Sequence, residues 1–163
     1  MSESRIFADF QSHEHWIREA IKEAKLAAEK GEVPVGAVVV HQGRVIGRGH
    51  NRVESLQDPT AHAEILAIGA AGGQGESWRL DDTTLYVTLE PCTMCSGAVL
   101  LARVGRVVFG AADPRAGAVA STARLLEGNP YQHGVEIVGG ILAEECGALL
   151  KDFFRDKRRA PGC

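Results

Sequence analysis

The sequence predicts an α/β protein, a three-layer α/β/α sandwich around a mixed central sheet of about five strands. Three observations carry that expectation. Short apolar stretches rich in β-branched residues alternate with segments of helical period. The stretch Val33 to Val40 is apolar throughout, as expected of a deeply buried strand. A tight turn separates the first two strand segments, whereas helices separate later ones. An antiparallel hairpin should therefore open the sheet, followed by parallel crossovers.

Each element follows in chain order. Trp16, Ile17, Ala20, Ile21, Ala24, Ala27 and Ala28 recur at helical spacing between Ser12, a candidate N-cap, and Gly31, a candidate stop. Val33 to Val40 is the first strand. His41-Gln42-Gly43-Arg44 turns the chain into a second, from Val45 to Asn51. After a loop from Arg52, Asp58-Pro59-Thr60 starts a helix over Ala61 to Ala71, which Gly72 to Gly75 ends. Thr83 to Leu89 reads as a strand, and Pro91 opens a helix carrying Cys92, Cys95, Ala98, Val99 and Leu101. Val104 to Phe109 is a strand, Gly110 to Ala120 an irregular loop over the site, and Val135 to Val138 a short strand. A helix over Ile141 to Arg159 has Leu142, Cys146, Leu149 and Phe153 along one face.

At 163 residues the chain fits one domain, residues 1–163, with short flexible ends at about 1–11 and 160–163. Such a domain buries roughly two-thirds of the surface its unfolded chain exposes, so no disulfide framework is needed. Met1 to His15 lacks the basic start and apolar core of a secretion signal, and no apolar run approaches the ~18 residues of a membrane span. The expected location is the cytoplasm, with no membrane partner. Four cysteines in a reducing compartment, two of them spaced Cys-x-x-Cys, favour metal or redox chemistry over structural bridges. A net charge of -3 gives nucleic-acid binding no general support, so any such surface must be local.

The chemistry concentrates in Thr60-Ala61-His62-Ala63-Glu64 and Glu90-Pro91-Cys92-Thr93-Met94-Cys95. Structural zinc takes four protein ligands, whereas catalytic zinc takes three and leaves a position for water or substrate. His62, Cys92 and Cys95 make three. The two cysteines fall in the first turn of a helix, where free N–H groups and the helix dipole favour thiolates. Glu64 need not ligate. On a regular helix His62 and Glu64 would point roughly 200° apart, so they can converge only at an irregular N-terminal turn. A carboxylate beside an open metal position is a candidate proton shuttle.

This arrangement resembles the zinc-dependent nucleobase deaminase superfamily, whose His-x-Glu and Pro-Cys-x-x-Cys signature it matches. Finer motifs are similar to those of bacterial tRNA adenosine deaminases: Glu32-Val33-Pro34-Val35-Gly36-Ala37, Asp58 to Ile65, Pro91 to Cys95, and Asp152-Phe153-Phe154-Arg155. The resemblance runs from the first helix to Arg159 and implies a cytidine deaminase-like fold. It implies one zinc ion per subunit on His62, Cys92 and Cys95, with Glu64 as the catalytic proton carrier. The reaction implied is hydrolysis of adenosine to inosine, with a tRNA anticodon stem-loop as partner and a homodimer as the assembly. By the same resemblance Asn51 contacts the base, Val35 and Ala61 line its pocket, and N–H groups near Ala63 and Cys92 offset developing charge. Asp113, Arg115, Phe154 and Arg155 are the implied RNA contacts. The chain departs from relatives at Ala120-Ser121, where they carry Gly-Ser, and at Gln132-His133, where they carry Asn-His.

Other readings stand beside these. Cys-x-x-Cys also occurs as a redox pair or half of a structural zinc knot, and Cys146 offers either a fourth ligand or a core residue. Asn51 is also a turn residue by type. Lys151 to Arg159 holds five basic and two acidic side chains, a solvated face or an RNA contact. A guanine or cytosine free-base deaminase is the alternative enzyme, and a non-catalytic zinc-stabilised RNA-binding module the alternative class. Glu64 separates the last, because such a module has no use for a carboxylate beside the metal.

Overall fold

The computed structural model describes residues 11–75 and 77–159. The flexible ends expected at 1–11 and 160–163, and the exposed tail expected at Cys163, lie outside the described residues, except for Gln11.

Helix α1 (His13–Glu29) begins where Ser12 Oγ accepts the His15 N–H at 3.1 Å, and it buries the predicted apolar face. Strands β1 (Gly36–His41) and β2 (Arg44–His50) form the hairpin, with Gln42 and Gly43 both at positive φ in the turn between them. The short helix α2 (Val53–Leu56) stands where the sequence predicts only loop. Helix α3 (Ala63–Gly72), strand β3 (Thr84–Leu89), helix α4 (Thr93–Ala102) and strand β4 (Arg106–Ala111) follow, then β5 (Glu136–Val138) and α5 (Ala143–Arg159).

The fourth strand starts two residues later than its apolar pattern suggests. Arg103 adopts the left-handed conformation that ends α4, and Val104 N–H returns to the Val99 carbonyl. Both residues are thus occupied in closing the helix.

The five strands pair in the order β2-β1-β3-β4-β5, antiparallel across the first two interfaces and parallel across the last two. Strand β1 alone runs against the other four. The C-terminal ends of β2, β3 and β4 therefore share one edge with the N-terminal end of β1, and ligand sites of α/β sheets lie at such edges.

Alternation along β1 separates two cores. Ala37 and Val39 pack with α3 and α4, while Val38 and Val40 pack with Trp16, Ile17 and Ile21 of α1 and Cys146 of α5. Helices thus cover both faces, as the sandwich prediction requires. The α3 face is made of small residues because it lies unusually close to β2. A Cβ on Gly49 would fall 2.5 Å from the Ala63 carbonyl, so only glycine lets α3 seat there. No helix among the described residues is long and apolar enough to cross a membrane.

Candidate metal centre and active site

Two helix N-termini meet at the shared edge. The helices begin at Ala63 and Thr93, two residues after the Ala61 and Pro91 starts that the sequence suggests. His62 and Cys92 are consequently N-cap residues with extended backbones, and neither side chain caps its own helix. Outside the helical period, His62 is free to turn toward the cysteines while Glu64 sits in the first turn proper. That resolves the divergence that regular helix geometry imposes on a His-x-Glu pair.

His62 Nδ1 lies 3.6 Å from Cys92 Sγ and 3.6 Å from Cys95 Sγ, and the three candidate ligand atoms all lie within 4.8 Å of one another. Zinc bonds of ordinary length at tetrahedral angles place nitrogen and sulfur about 3.6 Å apart, so the three residues fit a zinc ion. Cys146 is not a fourth ligand. It lies in the core beneath α5, where a Cβ on Gly110 would fall 2.4 Å from its Sγ.

The electrostatics of the group suit a bound cation. The shared contact with Cys95, and then His62, pulls the Cys92 thiol down to about 3, while the same sulfur contact pushes Cys95 up. Two adjacent thiolates repel, and a cation held between them would relieve that repulsion. The Cys92 contact raises His62. Burial raises the Glu64 carboxyl, which is 4% exposed.

A cavity of about 320 Å³ opens onto His62, Glu64 and Cys92. Val35, Asn51, Ala63 and Asp113 line it. The Asn51 N–H donates to the Val35 carbonyl at 3.1 Å, so the two meet where β2 leaves the sheet. Ala61 is buried beside the cavity rather than on its wall. Arg115 is exposed and stands next to Asp113, whose Oδ1 accepts the Arg115 and Ala116 N–H groups at 3.1 and 3.2 Å. Phe154 and Arg155 do not reach the cavity: Phe154 is 42% exposed, and Arg155 pairs with Asp152 and Asp156, each at 3.2 Å.

Three residues to which the sequence reading assigns no individual role border the same cavity. Lys157 brings a cation to its mouth, with its ammonium 5.5 Å from the Phe153 ring centre. The excess of positive charge in Lys151 to Arg159 was the available signal, but not which residue turns inward. Glu32 and Glu90 are buried in the wall, each a carboxylate flanked by apolar residues and proline. A charge in such a setting implies buried partners, yet its partners lie more than twenty residues away.

Burial would raise the Glu90 carboxyl, but the Ser121 hydroxyl and the N–H groups of Ala120, Ser121 and Asp113 outweigh it and hold the group down at about 2. Burial opposes ionisation of Glu32 as well. There the Ser55 hydroxyl and the Glu54 and Ser55 N–H groups keep the carboxyl below its ordinary range.

The MafB19-like deaminase family model matches residues 11–158. A tRNA-specific adenosine deaminase of Bacillus subtilis (strain 168) is 53% identical over 146 residues, covering 90% of this chain and 91% of its own. A structure solved in studies of A-to-I editing by tRNA:A34 deaminases at the wobble position superposes with a TM-score of 0.80 at 44% identity, covering 83% of this chain and 99% of its own. A guanine deaminase from Nitrosomonas europaea superposes with a TM-score of 0.74, covering 89% of this chain and 86% of its own; at 23% identity that likeness extends to the fold alone. The five-stranded fold, the paired helix N-termini and an identity of 53% across nine-tenths of the sequence thus converge, and the chain belongs to the tRNA-specific adenosine deaminase family of enzymes.

Proposed function

We propose that this chain binds one zinc ion per subunit and hydrolyses adenosine to inosine at the wobble position of a tRNA anticodon, acting in the cytoplasm as a homodimer. The observation that carries the reaction is the seating of a buried carboxylate, Glu64, in the same cavity as His62 and Cys92 of a three-ligand metal group. A non-catalytic zinc module would have no reason to bury that charge there. The substrate assignment is supported by the family, whose sequenced and solved members carry tRNA in their names.

His62, Cys92 and Cys95 would hold the zinc ion, which would supply Lewis acidity to the reaction. Glu64 takes the proton from the attacking water and delivers protons to the base ring and then to the departing amine. The C6–N6 bond breaks as the new C6–O bond is retained, and ammonia leaves. Backbone N–H groups near Ala63 and Cys92, at the two helix N-termini, offset charge as it develops. Asn51 orients the base, Val35 and Ala63 pack against it, and Asp113 with Lys157 faces the RNA at the mouth. Arg115, Phe154 and Arg155 act on the RNA outside the cavity.

The test offers the zinc-loaded protein an anticodon stem-loop beginning with adenosine, alongside free guanine, cytosine and adenosine, and follows inosine and ammonia. Inosine in the stem-loop is the expected result. Ammonia from a free base with none from the RNA would replace this reading with a free-base deaminase.

A further inference from the structure

Glu32 and Glu90 both line the cavity, and the same local arrangement is built around each. Glu90 Oε1 accepts the Ser121 hydroxyl at 2.5 Å and the Asp113 N–H at 3.1 Å, while Oε2 accepts the N–H groups of Val119, Ala120 and Ser121 at 3.2, 2.9 and 2.9 Å. Glu32 Oε2 accepts the Ser55 hydroxyl at 2.5 Å and the Ser55 N–H at 2.6 Å, and Oε1 accepts the Glu54 N–H at 3.0 Å. In both cases one serine gives hydroxyl and amide to a single carboxylate. Both carboxylates are buried, whereas both serines lie at the surface.

The segments gathered in this way form the two lips of the pocket. Val53 and Glu54, which follow β2, and Asp113 and Ala116, which follow β4, line it, and in the sheet β1 and β3 lie between those two strands. Each carboxylate is anchored next to the floor: Glu90 directly precedes Pro91 and Cys92, and Glu32 lies three residues before Val35. Contact is close enough at one lip that a Cβ on Gly117 would fall 2.3 Å from Glu90 Cδ. Loops of this kind can be held by apolar packing at less cost than by a buried charge. A carboxylate that takes several N–H donors fixes direction as well as proximity.

We propose that Glu32 and Glu90 are positioning residues that clamp the two lips at the spacing the RNA substrate requires, each through its serine. The assignment rests on the tRNA reading above. The clamps act on substrate binding rather than on the chemical step, because they hold the mouth and touch no reacting atom.

Removing only the surface hydroxyls tests this without hollowing the core. Ser55→Ala, Ser121→Ala and the double variant are compared with wild type as zinc-loaded protein on the adenosine stem-loop. Amide hydrogen exchange is followed at 54–55 and 119–121. Each single variant is expected to raise KM by roughly tenfold, the loss of one hydrogen bond to a charged group, with kcat and zinc content unchanged. The double variant should show the product of the two effects, exchange should quicken at the altered lip, and Ser→Thr at each site should restore KM. A structural role alone would instead lower the active fraction, and so kcat, at constant KM. Wild-type KM in all variants, a fall confined to kcat, or unchanged exchange at the lips each overturns the proposal. If wild-type enzyme leaves the stem-loop unconverted, the tRNA reading fails and this proposal fails with it; conversion by wild type with unmoved variants defeats this proposal alone.

Discussion

At the floor of the pocket, two helix N-termini point three candidate ligands at one volume, with His62 Nδ1 3.6 Å from each cysteine sulfur and a buried Glu64 in the first turn of α3. At its lips, two loops are suspended from Glu32 and Glu90 by backbone N–H groups and one serine each. At the floor the contact between the two sulfurs pulls Cys92 down and pushes Cys95 up, an opposition that a bound cation would relieve. The lips hold charges that are satisfied within the protein, since N–H and O–H donors pull both carboxyls down despite burial. A buried charge without a full complement of partners marks chemistry, whereas one with several donors marks architecture.

The sharpest way to break that contrast is Glu64→Ala. Loss of a general acid–base group should lower turnover by roughly a hundred- to ten-thousand-fold while zinc content, read by atomic absorption, stays at the wild-type level. Retained turnover would remove Glu64 from the chemistry and make the floor resemble the lips.

A middle effect is expected from Glu32→Gln, which places an amide where the Glu54 and Ser55 N–H groups and the Ser55 hydroxyl need an acceptor. Urea unfolding should show a loss of about 2 to 3 kcal/mol. The pH dependence carries a definite sign. The folded Glu32 carboxyl sits below its ordinary 4.5, so its contribution is complete above that pH and is lost as the pH falls toward the lower folded value. Wild type and Glu32→Gln should therefore converge in stability on acidification below about 4.5 and differ most near neutrality. Parallel curves would mean that Glu32 carries no charge in the fold.

The smallest effect belongs to Arg155→Ala. Its ion pairs with Asp152 and Asp156 are exposed, so stability should change by less than about 1 kcal/mol. A larger change in melting temperature would show that the outer face of α5 is structural rather than solvated.

Legibility follows the same division. His62 with Glu64, and Cys92 with Cys95, are two and three residues apart, so spacing and residue type reveal the chemistry before any fold is known. The helical period placed α1 and α5, and the apolar run from Val33 to Val40 disclosed a strand buried on both faces. The two-residue errors at the starts of α3 and α4 arose because a helix pattern extends through the N-cap, where the backbone has already left the helix. Helix α2 went unseen because four residues carry no readable period, and it is held by a carboxylate more than twenty residues earlier.

By itself the sequence determined the kind of fold, the candidate metal-binding residues and the reaction class, because each rests on residues close together in the chain. Only the tertiary structure decided that Lys157 rather than Arg155 reaches the cavity, that Cys146 belongs to the core, and that Glu32 and Glu90 hold the lips. Those outcomes depend on side chains meeting across twenty or more residues. Such meetings are set by how strands and helices pack, which no local period records.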